Sequence, residues 1–116
     1  MTDVTDGLVG AWLTLPDVAD RLGIPVTRVR QLVTERQLLA LRRQDVLMVP
    51  AHFVQDGRVL KGLRGTLTLL QDARYSDDEA VRWLYTPDDS LPGSPLDALT
   101  ANRGTEVKRR AQALGF

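Results

Sequence analysis

The apolar positions near the start of the chain predict two short helices joined by a tight turn. In the stretch LPDVADRLGIPVTRVRQLV, residues 15–33, apolar side chains recur every three or four positions. We expect the first helix to begin near Leu15, after an N-cap at Thr14, and to end at Gly23. The second helix is expected from position 25 or 26 to position 35. Its inner stripe is then Val26, Val29, Leu32 and Val33, and its outward positions are Thr27, Arg28, Arg30, Gln31 and Thr34.

Two strand-like runs follow these helices. Residues 39–43 and 46–49 flank Gln44 and Asp45, which we expect to form the two-residue turn of a β-hairpin. Pro50 ends the second run. A helical conformation of this segment would contradict the prediction.

The rest of the chain has mostly helical periodicity. Ser76 and Glu79 are in the register of a capping box, and Ser94 precedes a proline that suits the first turn of a helix. The expected helices cover residues 63–75, 76–85, 95–99 and 105–114.

Charge is balanced in total but not in distribution. The chain has 15 lysines and arginines against 15 acidic residues, which argues against a histone-like binder that depends on overall charge. Residues 26–43 contain five arginines and one glutamate, whereas residues 72–97 contain seven acidic residues and two arginines. This asymmetry indicates an anion-binding face in the first half and a different surface in the second.

Several classes of protein are disfavoured by what the sequence lacks. There is no cysteine and only one histidine, and no P-loop or Gly-x-Gly-x-x-Gly motif occurs. We therefore expect no catalysis, no cofactor, no metal site and no small-molecule ligand. No apolar run reaches the roughly 18 residues of a membrane span, and the first residues do not form a signal peptide. We expect a cytoplasmic protein, associated with the nucleoid if it binds DNA.

The two amino-terminal helices satisfy the constraints of a helix-turn-helix. That motif needs a small residue where the helices cross, here Ala19, and a glycine in the turn, here Gly23. Val29 and Leu32 then lie where apolar residues fix the crossing angle. Many helical hairpins match this pattern by chance, so the motif alone is only moderately specific.

The surrounding residues carry a family resemblance. The segment WLTLPDVADRLGIPVTRVRQLVTERQLLALRR resembles the winged helix-turn-helix of excisionase and MerR-type proteins. The second half, including LKGLRGTLTLLQDARYSDDEAVRWLY, resembles a small actinobacterial family of winged-helix DNA-binding proteins best known from mycobacteria. Arg36 stands where the excisionase pattern usually has glycine, and Pro25 stands where a serine cap is common. The matching residues are Trp12, Leu15, Val18, Ala19, Leu22, Gly23, Val29, Leu38, Ala40 and Arg42.

The resemblance and the pattern together predict a mainly α protein. We expect a mobile tail over residues 1–11, which carries Thr2 and Thr5 as candidate phosphorylation sites without a supporting basic context. A winged helix-turn-helix domain with a short two-stranded hairpin is expected over residues 12–50. A helical C-terminal domain over residues 51–116 is expected to pack on it.

Under this interpretation the second helix reads double-stranded DNA. Arg28 and Arg30 are expected to contact guanine edges, and Gln31 an adenine edge. Thr27, at the amino end of the helix, suits a phosphate. Thr34 completes the outward face. The alternative is that these side chains form only a solvated helix surface.

The hairpin supplies the remaining predicted contacts. Arg42 and Arg43 are expected to hold the DNA backbone or to reach the minor groove, and Arg36 and Gln44 complete the set. The alternative for the two hairpin arginines is an edge strand charged against aggregation.

A second function remains open at this stage. The acidic second half, with the segment PLDAL, is also similar to the toxin-binding part of a class of bacterial antitoxins. The C-terminal half would then bind a partner protein or a second copy of this chain.

Overall fold

The structure, a computed structural model, describes residues 4–115. Over this range it contains seven α-helices, five short strands and one 3₁₀ turn, Ala51–Phe53. The helices are α1 Val4–Val9, α2 Leu15–Leu22, α3 Val26–Thr34, α4 Leu63–Asp72, α5 Asp77–Tyr85, α6 Pro95–Thr100 and α7 Gly104–Ala113. The strands are β1 Trp12–Thr14, β2 Leu41–Arg43, β3 Val46–Pro50, β4 Val54–Gln55 and β5 Arg58–Val59.

The predicted helix-turn-helix is formed by α2 and α3. Thr14 caps α2 through a reciprocal capping box, in which its hydroxyl accepts from the Asp17 amide and the Asp17 carboxylate accepts from the Thr14 amide. Gly23 ends the helix at φ 68°, in the left-handed region that favours glycine. Pro25 was expected to be the first helical residue of α3, but it is the N-cap, because its ψ of 153° is extended.

The predicted hairpin is confirmed, but it belongs to a larger sheet. Gln44 and Asp45 both have positive φ, 51° and 64°, as a type I′ turn requires. β1 pairs antiparallel with β3, so the sheet has three strands in the order β1-β3-β2 rather than the two expected. Leu13 of β1 lies opposite the fully buried Val49, and this apolar pair fixes the register.

The segment before the sheet differs from the expected mobile tail. Val4–Val9 form α1, which packs against α5. Thr5 and Val9 are buried, and the Thr5 hydroxyl donates to Asp78 at 3.0 Å. These buried contacts hold the segment against the C-terminal domain. Thr5 is therefore shielded from solvent, while Thr2 lies outside the described residues.

A second hairpin, β4–β5, was not expected in the C-terminal half. Val54 pairs with Val59, and Asp56 and Gly57 form the turn with positive φ of 54° and 74°. An Asp-Gly pair is a strong hairpin signal. A mostly helical segment was predicted after residue 50, with its first helix at residue 63, and the hairpin at residues 54–59 adds a β element to it.

The C-terminal helices follow the predicted periodicity closely. Leu63, Leu67 and Leu70 of α4 are fully buried, and Ser76 and Ser94 cap α5 and α6 through capping boxes. One apolar cluster runs without interruption from the helix-turn-helix through the C-terminal helices. Among the described helices, none is long and apolar enough to cross a membrane.

Candidate nucleic-acid interface

The outward face of α3 is exposed, while its inner face anchors the helix. Val29 is fully buried and Leu32 is 8% exposed, so the helix cannot rotate without breaking the core. Within the described residues, the side chains of Thr27 and Arg28 make no hydrogen bond or ion pair. The five predicted outward residues, Thr27, Arg28, Arg30, Gln31 and Thr34, are all exposed.

Two of these outward residues are held by neighbours on the same helix. Gln31 donates its amide to the Glu35 carboxylate at 3.0 Å, and the Thr34 hydroxyl donates to the Arg30 carbonyl at 3.0 Å. Gln31 must leave Glu35 before its amide can read a base. Arg28 and Arg30 need no such rearrangement.

A cleft between α3 and the hairpin joins two predicted contact residues from different elements. Arg30 of α3 and Arg42 of β2 both line it, with Thr14 and Pro16 from the start of α2. Arg42 donates to the Asp45 carbonyl at 3.1 Å, which ties its guanidinium to the hairpin turn. Two positive charges that are separated in sequence therefore meet at one groove, which Asp45 of the hairpin turn also lines.

The tip of the hairpin projects into solvent. Gln44 and Asp45 are exposed in the turn, and Val46 is 46% exposed, which is unusual for a large apolar side chain. Val46 was not among the residues predicted to contact DNA. Its exposure could have been predicted from its position directly after the turn, because side chains alternate along a strand and Val46 lies on the face opposite the buried Val49.

Arg43, predicted to contact DNA, lies instead in a cluster that joins three elements. Its Nε is 2.6 Å from the Asp6 carboxylate of α1, and its Nη2 is 3.2 Å from the Asp78 carboxylate of α5. Its guanidinium also lies over the Trp12 ring, 4.9 Å from the ring centroid. With 19% of its side chain exposed, Arg43 holds the hairpin to α1 and α5.

Arg36 makes a similar contact at the end of α3. Its Nη1 lies 2.7 Å from the Asp77 carboxylate, and its side chain is 26% exposed. Its φ of 61° shows that the turn keeps the left-handed conformation for which the excisionase pattern usually supplies glycine. Arg36 and Arg43 are thus engaged by the first turn of α5, whereas the other seven predicted residues are exposed.

The single histidine lies in a contact between the 3₁₀ turn and α5. His52 Nδ1 is 3.0 Å from the Tyr85 hydroxyl, and the two rings meet edge to face. Burial raises the pKa of Tyr85 above its usual range, against the smaller opposing effect of a hydrogen bond with the His52 backbone. Among the described residues, no three His, Cys, Asp or Glu side chains are grouped so that they could hold a metal ion.

Comparisons with known proteins agree with this geometry. Residues 1–54 match the family model described as "DNA-binding protein Rv2175c, wHTH domain", and residues 60–115 match "Rv2175c C-terminal domain of unknown function". The DNA-binding protein Rv2175c of Mycobacterium tuberculosis is 44% identical over 115 residues, with 88% of this chain and 79% of that protein covered. The NMR structure of Rv2175c is similar with a TM-score of 0.82 at 41% identity, covering 91% of this chain and 82% of that chain. The chain therefore belongs to the Rv2175c family, in which a winged helix-turn-helix DNA-binding domain is joined to a helical C-terminal domain.

Proposed function

We propose that this protein binds duplex DNA with α3 in the major groove and the β2–β3 hairpin as a wing. It would act on nucleoid DNA in the cytoplasm, as a transcriptional regulator or an architectural factor. The observation that carries the proposal is the convergence of Arg30 and Arg42 on one cleft beside the exposed face of α3. A groove-binding helix needs this combination of an anchored inner face and cationic outer side chains.

The exposed residues divide by the chemistry they offer. Arg28 and Arg30 have the planar fork of donors that matches guanine O6 and N7, and each such contact contributes about 1–3 kcal/mol of discrimination. Thr27, beside the amide groups at the start of α3, suits a phosphate. Arg42 and Gln44 on the hairpin suit the adjacent backbone, which adds affinity without sequence preference.

The small number of cationic contacts limits the affinity of one copy. A protein with few phosphate contacts releases few counterions, so it binds weakly and its affinity depends only shallowly on salt. We infer that tight binding requires two copies that contact each other on adjacent half-sites, as a homodimer does. Adjacent sites would then lie one helical turn apart, about 34–36 Å.

The proposal is tested by fluorescence anisotropy with a labelled mixed-sequence duplex over a salt series. Wild type is compared with Arg28→Ala/Arg30→Ala and with the control Arg74→Asn. The control removes an exposed charge at the end of α4, at a φ of 68° that asparagine tolerates.

We expect wild type and the Arg74→Asn control to bind alike, with affinity rising as salt falls. The α3 double variant should bind more weakly and with a shallower salt dependence. Equal binding by the double variant and wild type would remove α3 from the interface. No binding by wild type at low salt would refute the proposed function itself.

The structure gives an observation against the antitoxin-like alternative. In that reading the apolar side of the PLDAL segment would bind a partner protein. Leu96 and Leu99 of α6 are instead buried in the protein's own core, at 4% and 2% exposure. A partner would have to open that core to reach them.

A further inference from the structure

The C-terminal domain is polarised, because acidic residues predominate in the first turn of α5 and basic residues predominate in α7. The acidic first turn of α5 faces the amino-terminal domain, where Asp77 and Asp78 bind Arg36 and Arg43. Basic residues are concentrated instead just before and within α4 and along α7. The exposed ones are Lys61, Arg64, Lys108 and Arg109.

The basic residues of these two helices meet at a cleft of about 350 Å³ where α4 and α7 begin. Its cationic side chains are Lys61 and Lys108, and Asn102 and Thr105 add an amide and a hydroxyl. No carboxylate occurs among the described residues that line it. A cleft rich in donors and lacking carboxylates is complementary to an anion.

The end of the Lys108 side chain lies over a glycine of the neighbouring helix. A Cβ at Gly65 would lie 2.8 Å from Lys108 Cε and 3.1 Å from its Nζ, so the lysine crosses α4 at a position that has no side chain of its own. Nearby, Glu106 of α7 is 3.8 Å from Arg103 and is therefore already balanced by a cation. Arg110 is held by the Ser90 carbonyl and hydroxyl and takes no part in the cleft.

From this arrangement we infer that the cleft between α4 and α7 binds a phosphodiester group of duplex DNA. The inference rests on the proposed function and extends it, because it gives the C-terminal domain a nucleic-acid contact of its own. The two lysines supply the charge, and Asn102 and Thr105 supply neutral donors to the phosphate oxygens. Such a contact adds affinity but carries no sequence information.

The test compares Lys61→Gln, Lys108→Gln and the double variant with wild type and with the Arg74→Asn control. Glutamine keeps most of the stem over Gly65, so folding is preserved, and thermal unfolding checks it. Dissociation constants for a mixed-sequence duplex are measured at 50 and 200 mM salt. Amide shifts of Gly62 and Gly104 are followed by NMR during separate titrations with the duplex and with inorganic phosphate.

Each lysine that contacts a phosphate contributes about 0.9 to the slope of log affinity against log salt. When two contacts are lost, the ratio of the affinity at 50 mM salt to the affinity at 200 mM salt should therefore fall by about tenfold. We expect this change in the double variant and about half of it, on a logarithmic scale, in each single variant. The Arg74→Asn control should match wild type, and the Gly62 and Gly104 amides should shift with the duplex.

Three results would overturn the inference while leaving the α3 interface intact. One is an unchanged affinity and slope in the lysine variants, and another is an equal change in the Arg74→Asn control. The third is a shift of the cleft amides with inorganic phosphate but not with the duplex, which would assign the cleft to a free anion. By contrast, a wild type that binds no duplex refutes the proposed function and this inference together.

Discussion

The cluster around Arg43 predicts a specific loss of stability. The structure gives Arg43 two carboxylate partners, at 2.6 Å and 3.2 Å, and the face of Trp12 at 4.9 Å. The side chains of Asp6 and Asp78 are only 35% and 34% exposed, so we assign each pair about 1 kcal/mol, the upper end of the range for surface pairs. The cation–π contact adds about 0.5–1 kcal/mol.

Replacing Arg43 with methionine keeps an apolar stem over Trp12 but removes the charge. Summing the contacts, Arg43→Met should lower the free energy of unfolding by about 2.5–3 kcal/mol, measured by equilibrium urea denaturation. Asp78→Asn should lower the free energy of unfolding by less, because Arg43 keeps its ion pair with Asp6. In a double-mutant cycle the two substitutions should couple by about 1 kcal/mol. Additivity within about 0.3 kcal/mol would refute the reasoning, since it would show that the pair contributes nothing of its own.

The same cluster predicts how the two hairpin arginines differ toward DNA. Arg42→Met should reduce the salt slope of duplex binding by about 0.9, because an exposed phosphate contact is lost. Arg43→Met should leave the slope unchanged at a temperature where the variant is folded. A reduced slope for Arg43→Met would show that Arg43 leaves its carboxylates to bind DNA.

Two further predictions concern local structure. Gly23→Ala should destabilise the protein by about 1–2 kcal/mol in urea denaturation, because the φ of Gly23 is 68°. The added Cβ would meet no atom within 4 Å, so the cost is conformational rather than steric. An equally large loss of stability in Gly23→Asn would contradict this origin, since asparagine tolerates the left-handed region. The Ser76 amide, then its hydroxyl and more weakly Arg82, hold the pKa of Glu79 below its usual range, against a small opposing effect of burial. The stability that this cap contributes is therefore complete above the ordinary glutamate pKa and is lost as pH falls through the lowered pKa. In a carboxyl NMR titration, Ser76→Ala should move the pKa of Glu79 only part of the way upward, because the variant loses the hydroxyl but keeps the amide. An unchanged pKa would show that the hydroxyl contributes nothing to the shift.

Local signals in the sequence predicted the parts of the fold that depend on neighbouring residues. The caps at Thr14, Gly23 and Ser76 lie where the predicted helices begin or end, because capping chemistry acts within one turn. The β4–β5 hairpin was missed although its Asp56-Gly57 pair was a readable local signal.

Long-range pairing was the part that could not be predicted. β1 has three residues and no strand signal of its own, and it exists because β3 offers it an edge. For the candidate site, the charge pattern identified the exposed arginines Arg28 and Arg30 correctly as outward residues. It could not show that Arg36 and Arg43 meet carboxylates of α5, because composition records charges but not which of them come together.

The measurement that tests the central claim most directly is an NMR titration of the labelled protein with a duplex at low salt. We expect the largest amide shifts in α3 and in the β2–β3 hairpin, and we expect these shifts to diminish together as salt is added. Shifts confined to the C-terminal domain, with residues 26–34 and 41–46 unchanged, would contradict the claim that the helix-turn-helix enters the groove.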